Sequence, residues 1–297
     1  MTANYQVLLY YQYTHIEDPK KLVVEQKELC QKLNLKGRIL IAEEGLNGTV
    51  SGTMEETTRY MEEMHQHPLF ENMPFKIDLH DGHAFKKLTV KQRPEIVAWH
   101  MNDQKVDPNQ LTGVHLSPSQ WYQAMTEEDV IVIDGRNDFE YDLGHFRGAI
   151  RPDVSTTREF PEWIRQHKED WKDKKILTYC TGGIRCEKLS GVLLQEGLEK
   201  VYQLDGGIVT YGKDPNVQGA LFDGQCYVFD DRISVPINQK EHVIVGKCHH
   251  CGSPAEKYLN CRYDPCDRRH LVCPDCESIH GGYCSNSCRS QDTTTSN

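Results

Sequence analysis

Residues 176–197 constrain this chain more than any other stretch. Ile176-Leu177-Thr178-Tyr179 is apolar and partly β-branched, and reads as a strand. Residues 187–196 read as a helix, with Leu189, Val192, Leu193 and Leu194 on its apolar side and Gly197 as its C-cap. Only a short turn separates the two: Cys180, Thr181, Gly182, Gly183, Ile184, Arg185 and Cys186. A strand that passes through a tight glycine turn into a helix is one half of a βαβ unit, which builds a parallel sheet. The turn therefore lies at the C-terminal end of a strand, where open α/β sheets place ligands.

A lone cysteine is most often a buried core residue. Here the glycines let successive backbone N–H groups point inward, the helix adds its positive end, and Arg185 adds a full charge. Such a cradle favours a thiolate, a persulfide or another anion on sulfur. The loop resembles the active-site loop of the rhodanese (sulfurtransferase) family: a cysteine, four residues, then arginine. Relatives acting on phosphate or arsenate have a loop one residue longer, so the short form implies sulfur chemistry with Cys180 and Arg185 as catalytic groups. Thr181 stands where rhodanese loops often carry arginine. Cys186 either resolves an oxidised Cys180 or packs at the helix start, and packing is preferred because disulfide geometry is demanding.

The flanking segments extend the α/β pattern. Ser117-Pro118 starts a helix, and residues 130–134, Val-Ile-Val-Ile-Asp, form a continuous apolar run like a buried parallel strand. Gly135-Arg136, Phe139-Glu140-Tyr141 and Gly144-His145-Phe146-Arg147-Gly148 follow. They resemble the first half of a rhodanese domain, which implies a structural ion pair between Asp134 and Arg136 and a packed, non-catalytic His145. Residues 159–171 read as a helix and 201–204 as a strand. Asp205-Gly206-Gly207-Ile208 resembles the rhodanese ending. Residues 219–235 read as hairpin-like pieces with Cys226 in the core.

The N-terminal hundred residues run strand (5–11), helix (from Asp18-Pro19 to about 34), strand (38–42), strand (from Thr49), helix (from Thr53, with Glu56 at capping-box spacing) and strand (75–79). This β-α-β-β-α-β order is the ferredoxin-like split unit. With Gly45-Leu46-Asn47-Gly48 read as a turn, it resembles an acylphosphatase-like domain. Residues 83–93 carry Lys86, Lys87, Lys91 and Arg93 and no acid. They are either an anion-facing surface or an edge strand guarded by lysine. Residues 102–113 read as a linker.

Eight of the twelve cysteines fall between 248 and 288. Cys248 with Cys251 and Cys273 with Cys276 are CxxC knuckles; Cys261 with Cys266 and Cys284 with Cys288 are wider pairs. Eight thiolates suffice for two tetrahedral zinc sites, and His249, His250, His270 and His280 are alternative ligands. Disulfides and free thiols are the competing readings, and the pairing is not set by spacing. A module of about fifty residues buries little core, so metal would supply much of its folding free energy. No run approaches the ~18 apolar residues of a membrane helix. The start lacks a basic n-region. A cytoplasmic location, a reduced pool of thiols and no membrane partner are expected. The net charge of −10 argues against generic nucleic-acid binding without excluding a local basic patch.

The expected architecture is a multidomain α/β chain: a ferredoxin-like domain (1–100), a linker (101–116), a rhodanese-like parallel domain (117–235), a Cys-rich module (236–289) and a disordered polar tail (290–297). That order, with Cys180-Thr181-Gly182-Gly183-Ile184-Arg185-Cys186-Glu187-Lys188 at its centre, resembles the bacterial rhodanese-type tRNA uridine hydroxylases. The resemblance implies oxygen-dependent conversion of the wobble uridine 34 to 5-hydroxyuridine, with molecular oxygen as co-substrate and the tRNA anticodon loop as partner. Residues 83–93 and the C-terminal module are then the candidate tRNA surfaces. The residues name no electron donor, and no GxGxxG fingerprint follows a strand. Plain sulfur transfer through a Cys180 persulfide and a redox-sensing adaptor role are the alternatives. The intact Cys180–Arg185 loop counts against the adaptor.

Overall fold

The computed structural model describes residues 4–99, 106–127, 129–154, 156–266 and 268–295. The chain begins β1 (Tyr5–Tyr13), α1 (Pro19–Lys32), β2 (Lys36–Ala42), β3 (Gly45–Thr53), α2 (Met54–Gln66), β4 (Phe75–His80) and β5 (Leu88–Gln92). The sheet order is β4-β1-β3-β2-β5, antiparallel except for β5, which runs parallel to β2 at the edge. Asp18 caps α1, and Thr53 and Glu56 form the expected reciprocal capping box of α2. Both helices cover one sheet face, where Leu22, Cys30, Tyr60 and Met64 meet Leu8, Tyr10, Ile39 and Val50. Alternation along β1 puts Leu9, Tyr11 and Tyr13 on the other face.

One turn is corrected. Gly45-Leu46-Asn47-Gly48 lies within β3, and the reversal is made by Glu43 and Glu44. These glycines serve close packing. A Cβ on Gly48 would stand 2.4 Å from the Tyr10 ring, and one on Gly45 would stand 2.1 Å from the Gln12 carbonyl oxygen.

The middle of the chain contains β6 (Val114–Leu116), α3 (Pro118–Glu127), β7 (Val130–Asp134), α4 (Asp138–Leu143), β8 (Gly144–Phe146), α5 (Phe160–Trp171), β9 (Lys175–Tyr179), α6 (Ile184–Gln195), β10 (Val201–Leu204), α7 (Gly207–Lys213), β11 (Phe222–Tyr227) and β12 (Ser234–Pro236). Four strands form an all-parallel sheet in the order β6-β10-β9-β7. Two apolar clusters, one around Trp121, Phe146 and Tyr211 and one around Phe160, Trp163 and Leu193, enclose it. The return at Gly144 pairs antiparallel with β11, and among the described residues a single bridge, Ile133 to Ile150, joins the segment to the main sheet.

Residues 101–105 of the expected linker lie outside the described residues. Residues 106–113 are packed: Val106 is buried, and Gly113 N–H donates to Ser190 Oγ at 2.7 Å. β6, which falls within the span assigned to the linker, is a strand of the parallel sheet. The C-terminal module holds β13 (Lys257–Asn260), β14 (Arg269–Val272), α8 (Pro274–His280) and α9 (Asn286–Thr295). Helix α9 takes in residues 290–295, assigned to a disordered tail by composition; Tyr283 OH donates to Asp292 Oδ2 at 2.6 Å and anchors it. Among the described residues no helix is long and apolar enough to cross a membrane.

Candidate active site

Cys180 follows β9 and is fully buried. Its loop is shaped from outside by α7. Ile208 and Val209 N–H groups donate to the Cys180 and Thr181 carbonyls at 3.0 and 3.1 Å. With those carbonyls turned away, the loop N–H groups face the sulfur, and Gly183 N–H donates to Cys180 Sγ at 3.2 Å. Gly183 (φ +101) also caps α6, which starts at Ile184, three residues earlier than the apolar pattern suggested. Gly207 (φ +69) is needed for contact: a Cβ there would stand 2.6 Å from the Cys180 oxygen.

Burial alone would raise the Cys180 pKa. The Cys186 thiol, the Arg185 charge and the Cys186 and Arg185 backbone N–H groups outweigh it and bring the pKa down to about 6. The thiolate therefore predominates at neutral pH. Cys186 is fully buried, and burial together with the Cys180 charge pushes its own pKa well up. It stays a thiol and acts as an S–H donor to Cys180. Both are free thiols in the structure.

Arg185 is tied down by a residue that sequence reasoning missed. Its guanidinium donates to both carboxylate oxygens of Glu140, at 2.6 and 2.9 Å, and to Thr181 Oγ1 at 3.0 Å. Glu140 is fully buried; Arg185 outweighs that burial and holds its carboxyl below the usual range. Glu140 also accepts from Asn137 N–H at 3.1 Å, so the Asn137-x-x-Glu140 capping spacing was the available signal. Thr181 supplies an oxygen to Arg185 where many rhodanese loops place a second arginine.

Asp134 and Arg136 form a fully buried ion pair, 2.6 Å between Oδ2 and Nη2. Tyr179 OH donates to Asp134 at 2.7 Å, and Arg136 reaches the Gly144 carbonyl at 2.6 Å, so the pair fastens β9 to the return segment. His145 stacks on Tyr141 at 3.8 Å with Nδ1 2.9 Å from the Tyr141 oxygen, a packed histidine. Cys226 is buried, as expected.

The open face of the N-terminal sheet roofs the loop. Leu9 abuts Gly182, Tyr11 OH abuts Gly183, and Tyr13 OH donates to the Ile184 carbonyl at 3.3 Å. Tyr11 OH also donates to Glu187 at 3.0 Å, and Lys188 pairs with Glu44 at 2.7 Å. The last two residues of the nonapeptide are therefore where the N-terminal domain docks. Lys76 of β4, one strand from Leu9 in register, sits 5.0 Å over the Tyr11 ring. The contacts of Tyr11 and Tyr13 with the loop and its helix span more than 170 residues of sequence and leave no local signal. Lys86, Lys87, Lys91 and Arg93 are all exposed around edge strand β5.

In the C-terminal module the sulfurs of Cys248, Cys251, Cys273 and Cys276 gather within 4.8 Å of one another, as do those of Cys261, Cys266, Cys284 and Cys288. The knuckles share one cluster and the wider pairs the other, interleaved along the chain. Neighbouring sulfurs stand 3.7 Å apart in three pairs. A zinc tetrahedron with ~2.3 Å bonds has edges of about 3.8 Å, whereas a disulfide is about 2.05 Å. The donors fit zinc. Both sets are complete without histidine; His249, His250, His270 and His280 instead pack their rings together.

A buried cysteine with a lowered pKa in a short loop at the end of a parallel strand is the arrangement of a rhodanese-class domain. Family profiles agree: the UPF0176 acylphosphatase like domain matches residues 5–96, the Rhodanese-like domain 117–214 and the Rhodanase C-terminal 223–289. Curated relatives include the tRNA uridine(34) hydroxylase of Bacillus licheniformis, 58% identical over 97% of this chain and 89% of its own. That of Bacillus cereus (strain B4264) is 57% identical over 97% and 90%. Among solved structures, the rhodanese-like domain of an Anabaena protein is 17% identical, covering 46% of this chain and 94% of its own with a TM-score of 0.31. The chain belongs to the tRNA uridine(34) hydroxylase family.

Proposed function

We propose that this protein hydroxylates C5 of uridine 34 in tRNA to give 5-hydroxyuridine, using Cys180 as the reactive sulfur. One oxygen atom of O2 goes to C5 and the other leaves as water, with two electrons and two protons from a reductant. The observation that carries the reading is the Cys180 cradle, whose thiol pKa is about 6. A cysteine held as an anion by backbone N–H groups, the Cys186 thiol and Arg185 is set up for nucleophilic or redox work through a persulfide or another oxidised sulfur state. Asp134 and Arg136 hold the scaffold. Lys86, Lys87, Lys91 and Arg93 are exposed cations on an acidic chain and are assigned to tRNA phosphates. The two cysteine clusters each hold one structural zinc. The reaction takes place in the cytoplasm, with the tRNA.

Nucleoside mass spectrometry tests this in cells that lack the gene and any redundant hydroxylase, complemented with wild type or Cys180→Ser. Restoration of 5-hydroxyuridine derivatives by wild type alone is expected. Restoration by the serine variant removes Cys180 from the chemistry, and hydroxylation that never depended on the gene removes the function.

A further inference from the structure

The loop around Cys180 is sealed on one side and open on the other. Gly182 and Gly183 are buried beneath Leu9 and Tyr11, while Thr181 and Arg185 are partly exposed. The side of the loop that reaches solvent is therefore that of Thr181 and Arg185, the latter 11% exposed, and it is taken as the mouth of the site. At that mouth stands Phe229, 57% exposed, its ring centre 6.0 Å from the Arg185 guanidinium carbon.

A single exposed apolar side chain is ordinary on a protein surface. Phe229 differs in how it is held. Val228 N–H donates to the Ile233 carbonyl at 2.9 Å, and Ile233 N–H donates to Asp230 at 3.0 Å, closing a tight turn beneath the ring. Arg232 clamps Asp230 at 2.6 Å and Asp78 at 2.8 Å, fastening the turn to the N-terminal sheet. The Tyr227 ring meets Phe229 edge-on at 5.0 Å. The ring is thus supported from below and left bare above. Asp231 N–H donates to the Ala84 carbonyl at 2.9 Å, which brings the turn against the segment carrying Lys86 and Lys87. Both lysines are exposed, with no ion-pair partner among the described residues. Asp231 has no ion-pair partner among the described residues, so phosphates fall to the lysine side.

An immobilised bare ring beside cations is how single-stranded RNA is gripped: bases stack on the aromatic face and the backbone follows the charges. We propose that Phe229 is the stacking platform for an unpaired base of the anticodon loop at the mouth of the Cys180 site, with Lys86 and Lys87 holding the adjoining phosphates. This inference rests on the hydroxylase reading and adds to it the subsite that presents the loop to the sulfur.

The probe is a fluorescently labelled anticodon stem-loop RNA carrying U34, titrated by anisotropy across a salt series. Phe229→Ala is expected to weaken binding by about 5- to 150-fold with the salt slope unchanged, because stacking is uncharged. Phe229→Trp is expected to bind like wild type, and its emission to change on RNA addition. Lys86→Glu with Lys87→Glu is expected to lower the salt slope by about 1.4–1.8. Wild-type affinity and turnover in Phe229→Ala, or silent emission in Phe229→Trp, overturns the stacking site while leaving the hydroxylase reading standing. Failure of wild type to bind or hydroxylate the RNA overturns both. Loss of a protein contact in cells with RNA affinity intact assigns the ring to a protein partner instead and likewise overturns the proposal.

Discussion

Replacing Arg185 separates the electrostatic part of the cradle from the rest. Arg185 lies among the groups that lower the Cys180 pKa to about 6, opposed by burial. An opposite charge within contact range lowers a pKa by about one to three pH units, so Arg185→Gln raises that of Cys180 by the same amount. The thiolate fraction at pH 7 then falls from about nine-tenths to between about a half and one-hundredth. The single variant also strands Glu140, fully buried and bonded to Arg185 at 2.6 and 2.9 Å. Breaking a buried pair from one side costs about 3–5 kcal/mol. Arg185→Gln combined with Glu140→Gln removes that penalty, and the loss of the Glu140 charge offsets only part of the rise at sulfur, because Arg185 stands between the two. The sign follows from linkage: with its folded pKa depressed, the thiolate stabilises the fold above the unfolded cysteine pKa, and that contribution is lost as pH falls through about 6. The assay is the pH dependence of thiolate ultraviolet absorbance, taken as the difference from Cys180→Ser, alongside the pH–rate profile. In the double variant both midpoints shift upward together and activity recovers as pH rises. A loss of rate equal at every pH, with an unmoved midpoint, refutes the assignment of Arg185 as the charge that holds the thiolate.

Two further outcomes follow from the same geometry. Cys186→Ala removes the S–H donor and raises the Cys180 midpoint while leaving activity at high pH, whereas a resolving role for Cys186 predicts arrest with oxidised Cys180 at any pH; intact-mass analysis distinguishes them. Metal analysis of the purified chain is expected to find two zinc ions. Cys251→Ser or Cys288→Ser each lowers that count by one and melts the C-terminal module first, since metal binding is folding free energy there; full stability after chelation contradicts the zinc assignment.

What was legible in the sequence was local. Thr53 and Glu56 announced their capping box, and Cys180 announced its strand–turn–helix, because those contacts lie within a few residues. Glu140 was visible only as a helix-cap carboxylate; its bond to Arg185 crosses 45 residues. Tyr11 and Lys76 face the loop because two domains meet there, and β1 alone carries no sign of which of its faces is covered. Gly45 and Gly48 were misplaced because glycine serves both turns and close packing. The cysteine spacing showed ligands in pairs but could not show that the pairs interleave.

The central claim is that an oxygen atom from O2 is placed on uridine 34 in a reaction that requires Cys180. Growth of complemented cells under ¹⁸O-labelled oxygen, followed by nucleoside mass spectrometry of tRNA, measures this directly. The label is expected in 5-hydroxyuridine derivatives with wild type, and no hydroxylated product is expected with Cys180→Ser. Unlabelled hydroxyl oxygen, drawn from water, or labelled product from the serine variant contradicts the claim.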